Sequence, residues 1–199
     1  MTTINHKVVF VGDSSVGKTS IINQFIYESI SDEHQATVGI DFFSKQIEVN
    51  GNVVKMQIWD TAGQEKFSSL IPSYIRGSTV AVFVYDITSE ESFDHLERWV
   101  KLVSDIANPA FVFVGNKTDL EDGRQVPTER IQNYAEEKKG KFIEVSAKAP
   151  TNIKELFQLI AEILPADLPE PTKEATNVQA PANLNANTNN NAKSGGCCY

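Results

Sequence analysis

The chain has 199 residues, 41% of them apolar, and a formal net charge of −8. That suffices for one ordinary domain and a tail, and no apolar run approaches the roughly 18 to 20 residues a membrane-spanning helix needs. The acidic balance argues against nucleic acid, whose phosphates are bound by clustered Lys and Arg. The start, Met1 to Lys7, carries no secretory apolar segment, and Thr2 in place of Gly does not fit the myristoylation pattern, so a cytosolic chain is expected. The two cysteines, Cys197 and Cys198, are adjacent, and with three scattered histidines they make no metal-ligand spacing.

From Lys7 to Leu164 apolar strands alternate with amphipathic helices, the pattern of an α/β fold with a mainly parallel sheet. Val8 to Val11 reads as a short buried strand, and a helix follows from about Gly17 to Tyr27 with Ile21, Ile22 and Phe25 on its inner face. Phe42 to Val49 and Val53 to Asp60 alternate apolar and polar residues around Asn50-Gly51, a two-residue hairpin signal. Val80 to Tyr85 and Ala110 to Val114 are continuous apolar runs of the kind buried on both faces. Between them a helix capped by Thr88 or Ser89 is expected to reach Ile106, with Phe93, Leu96 and Val100 inward. Helices at about Thr128 to Lys139 and Asn152 to Leu164 flank the strand Phe142 to Val145. Residues 1–164 are therefore expected to form the domain. Residues 165–199, broken by Pro165, Pro169, Pro171 and Pro181 and then rich in Asn, Ala and Thr, lack the apolar content to offset ordering entropy and read as disordered.

Gly12-Asp-Ser-Ser-Val-Gly-Lys-Thr19 fits the phosphate-loop pattern Gly-x4-Gly-Lys-[Ser/Thr]. Small residues there let consecutive N–H groups, from Ser14, Ser15, Val16, Gly17, Lys18, Thr19 and Ser20, turn toward phosphate oxygens at the start of a helix. Lys18 would reach the β and γ phosphates, and the Thr19 hydroxyl would ligate magnesium. This loop alone does not choose between ATP and GTP. Asn116-Lys-Thr-Asp119 does, because a carboxylate at Asp119 suits the N1–H and exocyclic amine of guanine, which adenine does not present together. The Asn116 amide would bond the far side of the base, and the Lys117 stem would lie over its face. Ser146-Ala-Lys148 and Asp60-Thr-Ala-Gly63 likewise follow strands, and ligands of open α/β sheets bind at the carboxyl ends of strands. Four such segments at strand ends converge on one rim.

Gly12 to Thr19, Thr37, Asp60 to Gln64, Asn116 to Asp119 and Ser146 to Lys148 resemble the five nucleotide motifs of the Ras-type small GTPases. Val38 to Phe42, Lys55 to Trp59, Ser73 to Gly77 and Val84 to Thr88 further resemble the Rab branch. Gln35 to Phe42 and Ser69 to Arg76 are most similar to the Rab six subfamily, linked to Golgi traffic. The resemblance implies a P-loop small G-domain: a six-stranded, mainly parallel sheet with one antiparallel edge strand, flanked by five helices. It also implies binding of GTP and GDP with Mg2+ held by Thr19, Thr37 and Asp60, the last through water. Ser146, Ala147 and Lys148 would complete the guanine site, and Ile30 would cover the base in place of the usual aromatic. Lys18, Thr37 and Gln64 would be the catalytic set, Gln64 orienting the attacking water. Thr37 and the Gly63 N–H would release their segments when the γ-phosphate leaves, an order–disorder switch. No arginine in the five nucleotide motifs supplies the missing positive charge, so slow intrinsic hydrolysis, on the order of 10⁻⁴ to 10⁻³ per second, and need of a GTPase-activating protein are expected.

The same resemblance makes Ile40, Phe42, Trp59 and Tyr74 an effector surface. Two departures, Ile30 and His34, fall where relatives carry aromatics, and they leave open a nucleotide-bound membrane scaffold that cycles slowly or not at all. Gly195-Gly-Cys-Cys-Tyr199 resembles the double-cysteine ends of Rab proteins, which carry two geranylgeranyl lipids. One lipid anchors marginally and two anchor stably, and the tail holds only Lys173 and Lys193, too few for a basic patch. The expected partners are an exchange factor, a GTPase-activating protein, effectors, a prenylation escort and a GDP-dissociation inhibitor, around a monomer. The expected place is the cytoplasmic face of endomembranes, the Golgi among them, with a cytosolic pool.

Overall fold

The computed structural model describes residues 5–28, 40–49, 52–61 and 71–164. Six strands form one sheet in the order β2-β3-β1-β4-β5-β6: β1 (Asn5–Val11), β2 (Ile40–Val49), β3 (Asn52–Thr61), β4 (Val80–Asp86), β5 (Ala110–Asn116) and β6 (Lys141–Glu144). β2 pairs antiparallel with β3, and every other neighbouring pair is parallel. A mainly parallel sheet is what the sequence pattern calls for, and the six strands with an antiparallel edge strand are what the resemblance implies. The register Val49↔Asn52 closes the β2–β3 hairpin across two residues, as expected of Asn50-Gly51, which themselves lie outside the described residues.

Side-chain alternation sorts β1 onto two cores. Val8 and Phe10 face a cluster with Ile58, Val82, Val84 and Val112, closed by α1 (Lys18–Tyr27) and α6 (Ile153–Ile163). Val9 and Val11 face the opposite cluster with Phe83, Tyr85 and Phe113. That side is closed by α2 (Ile71–Ile75), α3 (Glu90–Asp94), α4 (Leu96–Ser104) and α5 (Thr128–Glu137). Burial on both faces is why β4 is apolar from Val80 to Tyr85 and buried at every position. Across the first core Phe25 stacks on Phe157 with ring centroids 3.6 Å apart, fixing α1 against α6.

Among the described residues the α-helical turns form five regions, the third broken into α3 and α4 at His95. Ser89, not Thr88, caps α3: its Oγ accepts from the Ser92 N–H at 3.2 Å. Thr88 is occupied instead by Asp86, to which its N–H and hydroxyl both donate. Phe93, Leu96 and Val100 are buried as expected. The helix ends at Ser104, two residues short of Ile106, while Ile106 N–H still bonds the Val103 carbonyl at 3.1 Å. A short 3-10 helix, Thr118–Gly123, and the five-residue α2 are too brief to show a period in the sequence.

Candidate nucleotide site

Parallel pairing places the carboxyl ends of β1, β3, β4, β5 and β6 on one rim. The register Phe10↔Asp60 and Asp86↔Asn116 sets Asp60 beside the end of β1 and Asn116 beside the end of β4. The loop Gly12 to Gly17 hangs from β1 and feeds α1. Gly12 packs so closely on the Val84 carbonyl that a Cβ would overlap it, and Gly17 has φ +95°. Ser15, with φ +63°, is a left-handed residue between them, a conformation that turns successive N–H groups to one side. Ser14 and Ser15 are exposed, Val16 is buried in the first core, and Ser20 is half-buried.

Lys18 is 5% exposed. Its ammonium is held over the loop by the carbonyls of Gly12 at 2.9 Å and Asp13 at 2.6 Å. Burial lowers its pKa from 10.5 to about 8, against the pull of Asp60 and Asp13, which favour the charged form. Next to it the Thr19 hydroxyl donates to Asp60 Oδ2 at 2.5 Å, bringing together two hard oxygen donors from α1 and β3. Among the described residues no group of three or more His, Cys, Asp or Glu is placed to hold a metal. A hydroxyl and a carboxylate fit magnesium, which keeps several waters and takes few protein ligands beside substrate phosphates.

The second half of the rim is tied to the first through Asn116. Its Nδ2 donates to the Val16 carbonyl at 2.8 Å, and its Oδ1 accepts from the Ala147 N–H at 3.2 Å. One buried amide therefore joins the loops after β1, β5 and β6. Asp119 is exposed, and one carboxylate oxygen accepts the Ser146 hydroxyl at 2.6 Å. The Ser146 oxygen in turn accepts from the Ala149 N–H at 2.9 Å, which folds the 146–149 loop. Lys148 is exposed on that loop. Lys117 has φ +72°, and its ammonium pairs with Asp86 Oδ2 at 2.6 Å, so its stem is strung across the rim from β5 to β4. Burial of Asp86 opposes ionisation, but hydrogen bonds from Lys117 and Thr88 outweigh it and hold the carboxyl below its usual range.

Two residues at the rim are not among the candidate site residues read from the sequence. Asp86 anchors Lys117. Asp13, at a free position of the loop pattern, accepts three side chains from the break between α3 and α4 onward: Trp99 Nε1 at 2.8 Å, Arg98 Nη2 at 3.2 Å and His95 Nδ1 at 2.5 Å. A cleft of about 380 Å³ lies between these groups, lined by Asp13 to Val16 with Asp86, Ser89, His95 and Lys117. Partners 82 to 86 residues apart leave no local pattern from which the Asp13 cluster could be foreseen.

Residues 7–166 match the family model described as Ras family. The chain belongs to the Ras family. It is a small GTPase, built on the Ras-like G-domain sheet, and it binds and hydrolyses GTP as that family does. Within this Ras-family domain Ser14 to Ser20, Asp60, Asn116, Lys117, Asp119 and Ser146 to Lys148 are brought to one rim. Ile30, His34, Thr37, Gly63, Gln64, Cys197 and Cys198 lie outside the described residues, as does the Ile40 side chain. Away from the cradle, Phe42 and Trp59 meet across β2 and β3 with centroids 5.1 Å apart, and Trp59 meets Tyr74 of α2 at 5.6 Å. Phe42 is 51% exposed.

Proposed function

We propose that this Ras-family GTPase is a Rab-type switch that recruits effectors to endomembranes in vesicle transport, with the Golgi as its place of work. The observation that carries the reading is the aromatic row Phe42, Trp59 and Tyr74, in ring contact yet with Phe42 half exposed. An apolar row at a surface suits a partner hot spot. It also bridges β2, β3 and α2, the elements that flank residues 29–39 and 62–70, where Thr37, Gly63 and Gln64 stand. The Rab-like segments around Phe42, Trp59 and Tyr74 support the same reading from the sequence.

In this proposal the loop amides of Ser14 to Ser20 and the Lys18 ammonium hold the phosphates. Thr19 and Thr37 would hold magnesium directly and Asp60 through water, and the ion would supply charge neutralisation. Asn116 and Ala147 shape the base pocket, Asp119 reads guanine, and Ile30 covers it. Gln64 orients water for attack on the γ-phosphate, and the chemistry rests on positioning and charge stabilisation. Loss of that phosphate frees Thr37 and Gly63 and with them the effector face. Residues 165–199 act as a tether ending in two lipids on Cys197 and Cys198.

The test is an affinity pull-down from membrane extract with Gln64→Leu protein loaded with GTP, against GDP-loaded protein and a Gln64→Leu/Phe42→Ala control. Transport effectors retained only by GTP-loaded protein with Phe42 intact are expected. Equal capture in both nucleotide states would point to a non-cycling scaffold.

A further inference from the structure

The Asp13 cluster stands outside the functions assigned above. Asp13 sits in the loop that precedes Lys18, and its side chain is 20% exposed. A carboxylate beside an anion cradle opposes an anionic ligand unless cations and donors neutralise it. Here its two oxygens are shared out: Oδ1 takes the Trp99 indole N–H and Arg98, and Oδ2 takes the His95 ring. Its backbone carbonyl meanwhile accepts the Lys18 ammonium at 2.6 Å. One residue is thus fixed by its side chain to a helix and by its main chain to the cation that the cradle uses.

The helix is a firm support. His95, Arg98 and Trp99 stand three and four residues apart, so they leave one side of the helical course together. The adjoining face presents Leu96, Val100 and Val103 to the second core, each 6% exposed or less, and Trp99 sits at its margin. Trp99 itself is 5% exposed. The Arg98 guanidinium also lies 5.3 Å from the Trp99 ring, which keeps the two donors on the carboxylate side by side.

We propose that Asp13, with Trp99, Arg98 and His95, is a positioning group that clamps the phosphate loop to the α3–α4 helical region and slows nucleotide release. The proposal rests on the reading of Gly12 to Thr19 as the phosphate cradle. The clamp touches no reacting atom. It sets how long the loop stays in its gripping shape, so it acts on the dissociation rate rather than on encounter. Removing either half of a charge-assisted bond frees the loop, and removing both adds little, because the second partner is then already idle.

The experiment measures dissociation of methylanthraniloyl-GDP, chased by excess GDP in magnesium buffer, from the full chain and from Asp13→Asn, Trp99→Phe, His95→Gln and Asp13→Asn/Trp99→Phe proteins. Trp99→Phe deletes the N–H donor together with the five-membered ring of a side chain only 5% exposed, so its stability is read beside its release rate, and the His95 ring is exposed enough for its replacement to fold. Release is expected to quicken about tenfold in Asp13→Asn and Trp99→Phe, the size of a lost charge-assisted bond, and less in His95→Gln. The double variant should match the faster single one, with association rates within about twofold throughout. Thermal midpoints of the GDP-saturated proteins are recorded alongside. Lower midpoints with unchanged release rates would assign the cluster a structural role only and overturn the proposal, as would effects that multiply in the double variant. A wild-type chain that retains no labelled GDP would instead overturn the cradle reading on which the clamp stands.

Discussion

Gly17 lies against Asn116 so closely that a methyl group on it would overlap the Asn116 amide nitrogen. That same nitrogen donates to the Val16 carbonyl, one residue earlier in the loop, at 2.8 Å. Gly17→Ala therefore strains a left-handed backbone, at a cost of about 1–3 kcal/mol, and pushes on the amide that joins three loops. We expect GDP affinity to fall about a hundredfold, the scale of an ångström-sized misplacement, in isothermal titration. Wild-type affinity would mean that the contact yields.

Lys18 carries a stability penalty that its proposed phosphate-holding role explains. Its pKa is about 8 in the folded protein against an ordinary 10.5, because burial disfavours the cation. Between those values the unfolded chain binds more protons, so stability rises with pH through that window and the full penalty of about 3 kcal/mol persists below it. Nucleotide-free Lys18→Met protein should thus be about 1–3 kcal/mol more stable than wild type at pH 7, the gain usual when a buried charge gives way to an apolar chain. The rise between pH 8 and 10.5 should be lost with it. Urea midpoints at pH 7 and 9.5 check both points; a variant less stable at both pH values would contradict them.

Arg124 holds the loop after the 3-10 helix. It is 17% exposed, bonds Glu121 through two nitrogens and grips both oxygens of Glu144 at 2.7 and 3.0 Å. Its remaining reach goes to the Val126 carbonyl. Arg124→Met leaves Glu144 with only long bonds from Thr128, beside a Tyr85 whose phenol burial already pushes above its usual range, with Glu144 adding to the push. A loss of about 2 kcal/mol in urea denaturation is expected, with GDP release unchanged. A loss of only a few tenths would place this pair among the solvent-screened ones.

Asp119 should decide the base. With Ser146 donating to one of its oxygens, the carboxylate is oriented before any ligand arrives. Asp119→Asn exchanges an acceptor for a donor, and preference should shift from guanine to xanthine nucleotides by at least tenfold in competition binding, the size of one good hydrogen-bond mismatch. An unchanged preference would remove Asp119 from base recognition.

The strands were legible because burial on both faces writes itself as continuous apolar runs, as in Val80 to Tyr85, and the loops because phosphate and guanine chemistry constrains residue types at short spacing. What escaped was of two kinds. The break at His95, and α2 with Pro72 inside it, involve too few residues to display a period. The pairs Asp13–Trp99 and Lys117–Asp86 join residues 86 and 31 positions apart by number, and only the closed sheet brings them together. Thr37, Gly63 and Gln64, the proposed switch residues, lie outside the described residues.

β1 lies between β3 and β4, and Val8 to Val11 are wholly shielded from water. Amide protons in such a strand exchange with solvent only when the whole domain opens. The phosphate loop is the direct continuation of this strand, so ligand grip there is read out as slower isotope exchange at Val8 to Val11. A mass spectrometer following that one peptide would weigh the full free energy of nucleotide binding without any label on the nucleotide.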